Sequence, residues 1–183
     1  VDMKLNGILN LGELAKAFPM EGVSELNGIL RANLTAKASM NQIERQQYEQ
    51  VQMNGAFGLQ NMTYRSAGQP DIRIASLRTT LSPQRVAVEE FDARLGKSDL
   101  RASGAVDNIL AWFSPQKTMK GTLTFNSAYF DANEWMSESD EPPPLAAASA
   151  APERPFDRWD FSMDGRINRL KYDAYDLSNL SMK

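Results

Sequence analysis

The stretch that decides the fold reads Val-Gln-Met-Asn-Gly-Ala-Phe-Gly-Leu and covers residues 51–59. Every second residue from Val51 to Leu59 belongs to an apolar series, and Gly55 occupies one of its positions. Alternation with period two indicates a strand that has one apolar face. A glycine inside such a strand removes a side chain where the sheet bends or another group approaches closely. The stretch therefore predicts a strand in a curved sheet.

Four other runs repeat the pattern, and they are centred on Gly28, Gly104, Gly121 and Gly165. In each run the residues two positions before and after the glycine are apolar. The repetition predicts a mostly β fold, a curved or folded and mainly antiparallel sheet with an apolar concave face and a few short helices. We expect strands near residues 23–38, 51–66, 71–80, 85–95, 98–107, 118–130, 159–170 and 173–182.

The best helix candidate runs from Asn10 to Phe18. Asn10 is a good N-cap residue with Glu13 three positions later, and Pro19 ends the helical pattern. Residues 41–49 are polar and compatible with either a short helix or a loop, and residues 108–113 are compatible with one helical turn.

Length and charge bound the class of protein. The chain has 183 residues and a formal net charge of −3, enough for one core and without the basic patch that nucleic-acid binding requires. It has no apolar run of about 18 residues, so we expect no transmembrane helix. Its first residues have the pattern of the middle of a strand, and we expect the chain to be a piece of a longer protein.

Two residue types are missing from the composition. The chain contains no cysteine and no histidine. Disulfides, thiolate catalysis and a Ser-His-Asp triad are therefore excluded, and the commonest general base is absent. We expect a protein that is not an enzyme and that uses no cofactor and no metal.

A Pro/Ala-rich segment interrupts the second half of the chain. Five of the nine prolines lie within residues 137–158, which favours an extended linker. Because the strands after it are too few to fold alone, we expect one β domain made of residues 1–136 and 159–183. A proline-rich ligand for an SH3-type module is the alternative interpretation of this segment.

Three groups of residues could carry other chemistry. Glu89, Glu90 and Asp92 form an acidic cluster on one predicted strand. Adjacent strand residues point to opposite faces, so we expect Glu89 and Glu90 not to converge, whereas Glu90 and Asp92 share a face. A solvated face explains this cluster better than a hydrolytic carboxylate pair does.

The other two groups are weaker. Asp131, Asn133 and Glu134 resemble a loose calcium cluster, but they lack the glycine and the distant glutamate of a calcium loop. Turn chemistry explains them equally well. The tryptophans could line a sugar site, although tryptophans near strand ends more often cap a core. They are Trp112, Trp135 and Trp159.

The predicted apolar face is the most informative feature for function. It could be the inside of a closed core, or it could be the floor of an open trough that receives lipid chains. The residues that flank the glycines on the shared phase are the candidate lining of a lipid groove. They are Met53, Phe57, Leu59, Leu123, Phe125, Met163 and Ile167.

A series of short motifs is distributed over nearly the whole chain outside the linker. They read LGELAKAFP at 11–19, LNGIL at 26–30, VQMNG at 51–55, LGKSDL at 95–100, LTFNS at 123–127, DANEWM at 131–136, LKYD at 170–173 and LSNL at 177–180. In their order and spacing these motifs resemble the AsmA-like C-terminal region family of Bacteroidetes envelope proteins.

The resemblance implies a membrane anchor that precedes this chain and a β-rich body on the periplasmic side of the inner membrane. It also implies an apolar groove that handles phospholipid during outer-membrane biogenesis, and it brings no catalytic residues. The expected partner is therefore phospholipid or another lipid. The alternative is a structural or adhesion-type β module of the cell envelope, possibly glycan-binding, in which the apolar face is core.

Overall fold

The computed structural model describes residues 2–37, 39, 41, 52–108, 118–136 and 159–183, and all its strands lie in one sheet. The neighbours along the sheet are β1, β2, β3, β4, β5, β6, β7, β9 and β10, and β8 pairs with β9. The mostly β prediction is confirmed. The strands are β1 (Asp2–Asn10), β2 (Val23–Lys37), β3 (Gln52–Ser66), β4 (Ile72–Leu81), β5 (Arg85–Leu95), β6 (Ser98–Asp107), β7 (Met119–Ser127), β8 (Phe130–Asp131), β9 (Trp159–Tyr172) and β10 (Tyr175–Met182).

The strand pairing is antiparallel except where β9 meets its neighbours. β9 runs parallel to β7 and to the short β8, with Met119 opposite Trp159 and Ser127 opposite Ile167. A parallel pair needs a crossover connection instead of a tight turn. The two strands after residue 158 therefore add to the same sheet as the strands before residue 137.

The registers place one apolar series on a single side of the sheet, because directly paired residues point the same way. We call this side the apolar face and the opposite side the charged face. The apolar face carries Met3, Leu5 and Leu9 on β1; Leu30, Ala32 and Leu34 on β2; Met53, Gly55, Phe57, Leu59 and Met62 on β3; Ile74, Leu77 and Leu81 on β4; Val86, Val88, Phe91 and Ala93 on β5; Leu100, Ala102, Gly104 and Val106 on β6; Met119, Gly121, Leu123 and Phe125 on β7; Phe161, Met163, Gly165 and Ile167 on β9; and Leu180 and Met182 on β10.

Register shifts keep this series on one side. Between Val88 and Phe91 on β5, two residues separate neighbouring apolar positions, and β4 has a similar shift between Ile74 and Ser76. On β3, Asn61 has a φ of 50°, and the next paired residue is Met62. An extra residue in one strand restores the alternation to the same face and increases the local twist.

The helix α1 (Leu11–Ala17) begins and ends as the sequence predicts. The Asn10 side chain accepts hydrogen bonds from the backbone N–H groups of Gly12 and Glu13, at 2.9 and 3.3 Å. Phe18 leaves the helical conformation directly before the proline, where helical backbone is disfavoured. Leu11 at the start of the helix is buried, whereas Phe18, which follows its last residue, is 69% exposed.

Three of the segments discussed above lie outside the described residues, except for residues 41 and 108. They are the short helix or loop at 41–49, the helical turn at 108–113 and the linker at 137–158.

Candidate functional site

The apolar face contains a groove of about 760 Å³. It extends over β4, β5, β6, β7 and β9, a width of roughly 19 Å if neighbouring strands are about 4.8 Å apart. Its volume lies within the range that small-molecule sites occupy. The lining side chains on the apolar face are Leu77, Val86, Val88, Phe91, Leu100, Ala102, Val106, Leu123, Phe125, Phe161, Met163 and Ile167, and Phe130 of β8 also lines the groove.

In two cross-strand pairs on the floor of the groove, a phenylalanine ring packs over a glycine. Gly121 lies opposite Phe161, and Phe125 lies opposite Gly165. In each pair the phenylalanine ring occupies the space that a Cβ on the glycine would need. The two glycines therefore leave room for the aromatic rings to pack against the strand backbone, which explains why glycine occupies apolar positions in β7 and β9.

A third glycine allows a close backbone approach. A Cβ on Gly104 would overlap the carbonyl oxygen of Thr122 and lie 3.1 Å from the Cα of Leu123. Both of these atoms belong to the neighbouring strand backbone. Gly104 thus lets β6 and β7 approach beneath the groove.

The face is open in the part of the chain that the structure describes. Met163 is 37% exposed and Phe161 is 38% exposed, and the hydrophobic residues that count as buried among the described ones are Leu11, Ala93, Ala105 and Met119. None of the seven residues chosen from the sequence is buried. An apolar patch of this kind is typical of an interaction site.

Four of the seven chosen residues meet in the groove. Leu123 lies opposite Met163, and Phe125 and Ile167 also line the groove. The other three, Met53, Phe57 and Leu59, share the apolar face but lie on β3, outside the groove lining.

Candidate groove residues were chosen from the sequence because they flank a glycine, and this criterion missed the residues that β5 contributes. Val86, Val88 and Phe91 line the groove, but their strand has no central glycine. The signal in the sequence is two short alternating pairs, Val86 with Val88 and Phe91 with Ala93, separated by one extra residue.

Charged residues of neighbouring strands form ion pairs on the other side of the sheet. Their pairs include Arg85 with Asp107 at 3.1 Å and Lys120 with Asp160 at 3.4 Å. Each pair joins neighbouring strands across the charged face. Ion pairs this exposed contribute little to stability, but they keep one side of the sheet hydrated.

The acidic cluster on β5 belongs to this charged face. The bulge between Val88 and Phe91 leaves Glu89 without a register partner in either neighbouring strand, so strict alternation does not hold at this point, and Glu90 lies opposite Arg78 on the charged face. Glu90 accepts a hydrogen bond from Ser76 and pairs with Arg78, both at 2.5 Å.

Asp92 pairs with Arg101 at 3.0 Å. Because Glu90 and Asp92 each face a basic partner, their geometry is that of a solvated ionic surface.

The residues of the suspected calcium cluster form a corner of the sheet, where they contact the turns that contain Lys97 and Asp173. Asp131 accepts from the backbone N–H of Asn133 at 3.2 Å and caps a 3-10 helix over Ala132–Glu134. Asn133 exchanges two hydrogen bonds with the backbone of Asp173, and Glu134 accepts from the N–H of Lys97 at 2.8 Å. No group of three or more acidic side chains in the described ranges is arranged to hold a metal.

Local contacts shift the pKa values of two ionisable groups near this corner. Burial raises the pKa of Tyr129, and its hydrogen bond to Asp131 adds to the rise. Hydrogen bonds from Arg169 lower the pKa of the Asp176 carboxyl, with distances of 2.6 to 3.2 Å. The contacts between Arg169 and Asp176 join β9 to β10 at this end of the sheet.

Of the three tryptophans considered for a sugar site, Trp135 is the one whose side chain belongs to the described residues. Trp135 is 41% exposed beside the 3-10 helix. Trp112 and the side chain of Trp159 lie outside the described part of the structure.

Comparison with protein-family models, with curated proteins and with solved structures gave no significant match. Among the described residues, no helix is long and apolar enough to span a bilayer. The functional argument therefore rests on the residues and geometry of the sheet.

Proposed function

We propose that this chain is a non-enzymatic lipid-handling segment whose apolar face receives the acyl chains of phospholipid or another lipid. One observation carries the proposal, namely the open groove of about 760 Å³, whose lining contains no charged residue in the part of the chain that the structure describes. Hydrocarbon is the ligand chemistry that suits such a surface, because neither partner has a charge that loses hydration.

The need for an occupant follows from how domains are built. Domains normally pack two or more layers around an apolar core. The described residues supply one sheet and one seven-residue helix, so they provide no second layer over the apolar face. Covering apolar surface contributes about 25 cal/mol per Å², so an apolar occupant stabilises the protein as it binds.

An acyl chain fits this surface better than an extended peptide does. Each peptide residue brings an N–H and a C=O that need partners when they are buried. The lining strands already use their backbone groups in the ladders that join β4, β5, β6, β7 and β9. An acyl chain has no such groups to satisfy.

The resemblance to AsmA-like proteins supports the same function and suggests where in the cell the protein acts. We propose that the chain lies on the periplasmic face of the cell envelope, in a protein anchored in the inner membrane by a segment outside this chain. Its role there is to contribute apolar groove to phospholipid handling during outer-membrane biogenesis.

A charge placed in the groove tests the proposal. Phe125→Glu puts a carboxylate on the floor, whereas Asn126→Glu puts one on the neighbouring residue of the same strand, on the charged face between Arg101 and Arg166. Both proteins are mixed with vesicles that contain a photoactivatable phospholipid, and crosslinked lipid is measured after checking the fold by circular dichroism.

We expect both variants to fold, with crosslinking to Phe125→Glu reduced by at least about tenfold, or 1.4 kcal/mol. Asn126→Glu should crosslink as the unchanged protein does. Global unfolding of Phe125→Glu together with no crosslinking to the unchanged protein would contradict the proposal, and it would favour a structural or adhesion module with a closed core.

A further inference from the structure

We infer that the groove recognises the hydrocarbon chain of its ligand and does not read the head group. The inference rests on the function proposed above and names the part of the lipid that determines affinity. It predicts that neutral, zwitterionic and anionic lipids with the same chain bind with equal strength.

The first argument is the distribution of charge. A head-group site for phosphate needs a basic side chain or free backbone N–H groups near the ligand. Among the described residues, the groove lining contains no charged side chain. Arg101, between Leu100 and Ala102 of the lining, lies on the charged face and pairs with Asp92 at 3.0 Å.

The second argument concerns the polar groups at the floor. Ser127 lines the groove on the apolar face, but its hydroxyl is shielded from solvent and has no hydrogen-bond partner among the described residues. A shielded hydroxyl cannot reach a solvated head group. The side chains of Ser103 and Thr122 belong to the charged-face series of β6 and β7.

The third argument is the shape of the floor. The rings of Phe125 and Phe161 lie over Gly165 and Gly121, so aromatic carbon fills the floor at both of these cross-strand pairs. Such a surface makes contact along a chain, so affinity should grow with chain length. Each buried methylene group contributes about 0.8 kcal/mol, which corresponds to an affinity increase of up to about fourfold.

Lysolipids used below their micelle concentrations separate head group from chain. One series keeps a tetradecanoyl chain and varies the head group between phosphocholine, phosphoglycerol and plain glycerol. A second series keeps phosphocholine and lengthens the chain from decanoyl to tetradecanoyl. Calorimetric titration of the full chain at low and high salt gives the dissociation constants, with Arg101→Ala as a probe of the charged face.

We expect dissociation constants that agree within about threefold across head groups and fall by up to about fourfold per methylene group. Salt and Arg101→Ala should leave them unchanged. A preference for the anionic lipid above about tenfold, lost in high salt or in Arg101→Ala, would overturn the inference while leaving lipid binding intact. Absence of binding by every lysolipid would instead overturn the proposed function itself.

Discussion

Replacing Gly104 with alanine tests whether the glycines of the apolar face are there because the sheet has no room for a side chain. The new Cβ would overlap the Thr122 carbonyl oxygen and lie 3.1 Å from Leu123 Cα. These atoms cannot move aside without disturbing the ladder between β6 and β7. Overpacking typically costs 1–3 kcal/mol, and the reduced entropy of the unfolded chain returns about 0.4–1 kcal/mol, so we expect a net loss of about 1–2 kcal/mol.

Two matched substitutions on the same face separate this mechanism from a general effect of alanine. A Cβ on Gly121 would meet the Phe161 ring, which is part of a 38% exposed side chain and not of the strand backbone. A Cβ on Gly7 would have nothing within 4 Å. We therefore expect Gly121→Ala to lose less than about 1 kcal/mol and Gly7→Ala to be neutral or slightly stabilising.

Urea denaturation measures all three variants. With an m-value near 2 kcal/mol/M, the midpoint for Gly104→Ala should fall by roughly 0.5–1 M, and that for Gly7→Ala should stay or rise slightly. Equal midpoints for Gly104→Ala and Gly7→Ala would refute the reasoning. So would a larger loss in Gly121→Ala than in Gly104→Ala.

Three further substitutions test other parts of the fold. Asn61→Val should lower stability by about 1–2 kcal/mol in urea denaturation, because a β-branched residue disfavours the φ of 50°; an unchanged midpoint would contradict this role. Asp99→Ala should cost about 1–3 kcal/mol by the same assay, because its carboxylate accepts two loop N–H groups at 2.8 to 3.1 Å, and an amide-exchange rate unchanged in that loop would argue against it. Asp176 has a lowered pKa beside Arg169, so its contribution is present above the unfolded pKa and lost as the pH falls through the folded pKa. The stability difference between the unchanged protein and Asp176→Asn should therefore shrink on acidification from pH 5 to pH 3, and a constant difference would count against the pairing.

The alternation of apolar residues was enough to predict most strands. The runs around Gly55, Gly104, Gly121 and Gly165 all lie in strands with the predicted face in common. This succeeded because period two is a local property, set by the backbone of each strand. The capped helix after Asn10 was predictable for the same reason.

The relation between strands was harder to predict. The bulge between Val88 and Phe91 shifts the phase of β5, so a strict alternation continued from Val86 and Val88 puts Glu90 on the apolar face and misses Phe91 as part of the groove. The corner formed by Asp131 and Asn133 depends on contacts with Asp173, about forty positions away. Register and long-range hydrogen bonds are set by packing of the whole sheet, which no single segment encodes.

The most direct test of the account is the solvent accessibility of the apolar face. The chain contains no cysteine, so single-cysteine variants report one position each. Met163→Cys places a thiol in the groove, and Asn126→Cys places one on the exposed charged face as the reference. The rate of modification by a water-soluble maleimide is measured with and without lipid vesicles.

An open lipid-binding groove predicts comparable rates for the two thiols in lipid-free protein and selective protection of Met163→Cys when lipid is added. A Met163→Cys thiol that reacts at least about a hundredfold more slowly than the reference without lipid, and is unaffected by lipid, would mean a barrier of about 2.7 kcal/mol to reaching the face. That result would contradict the open apolar face on which the account depends.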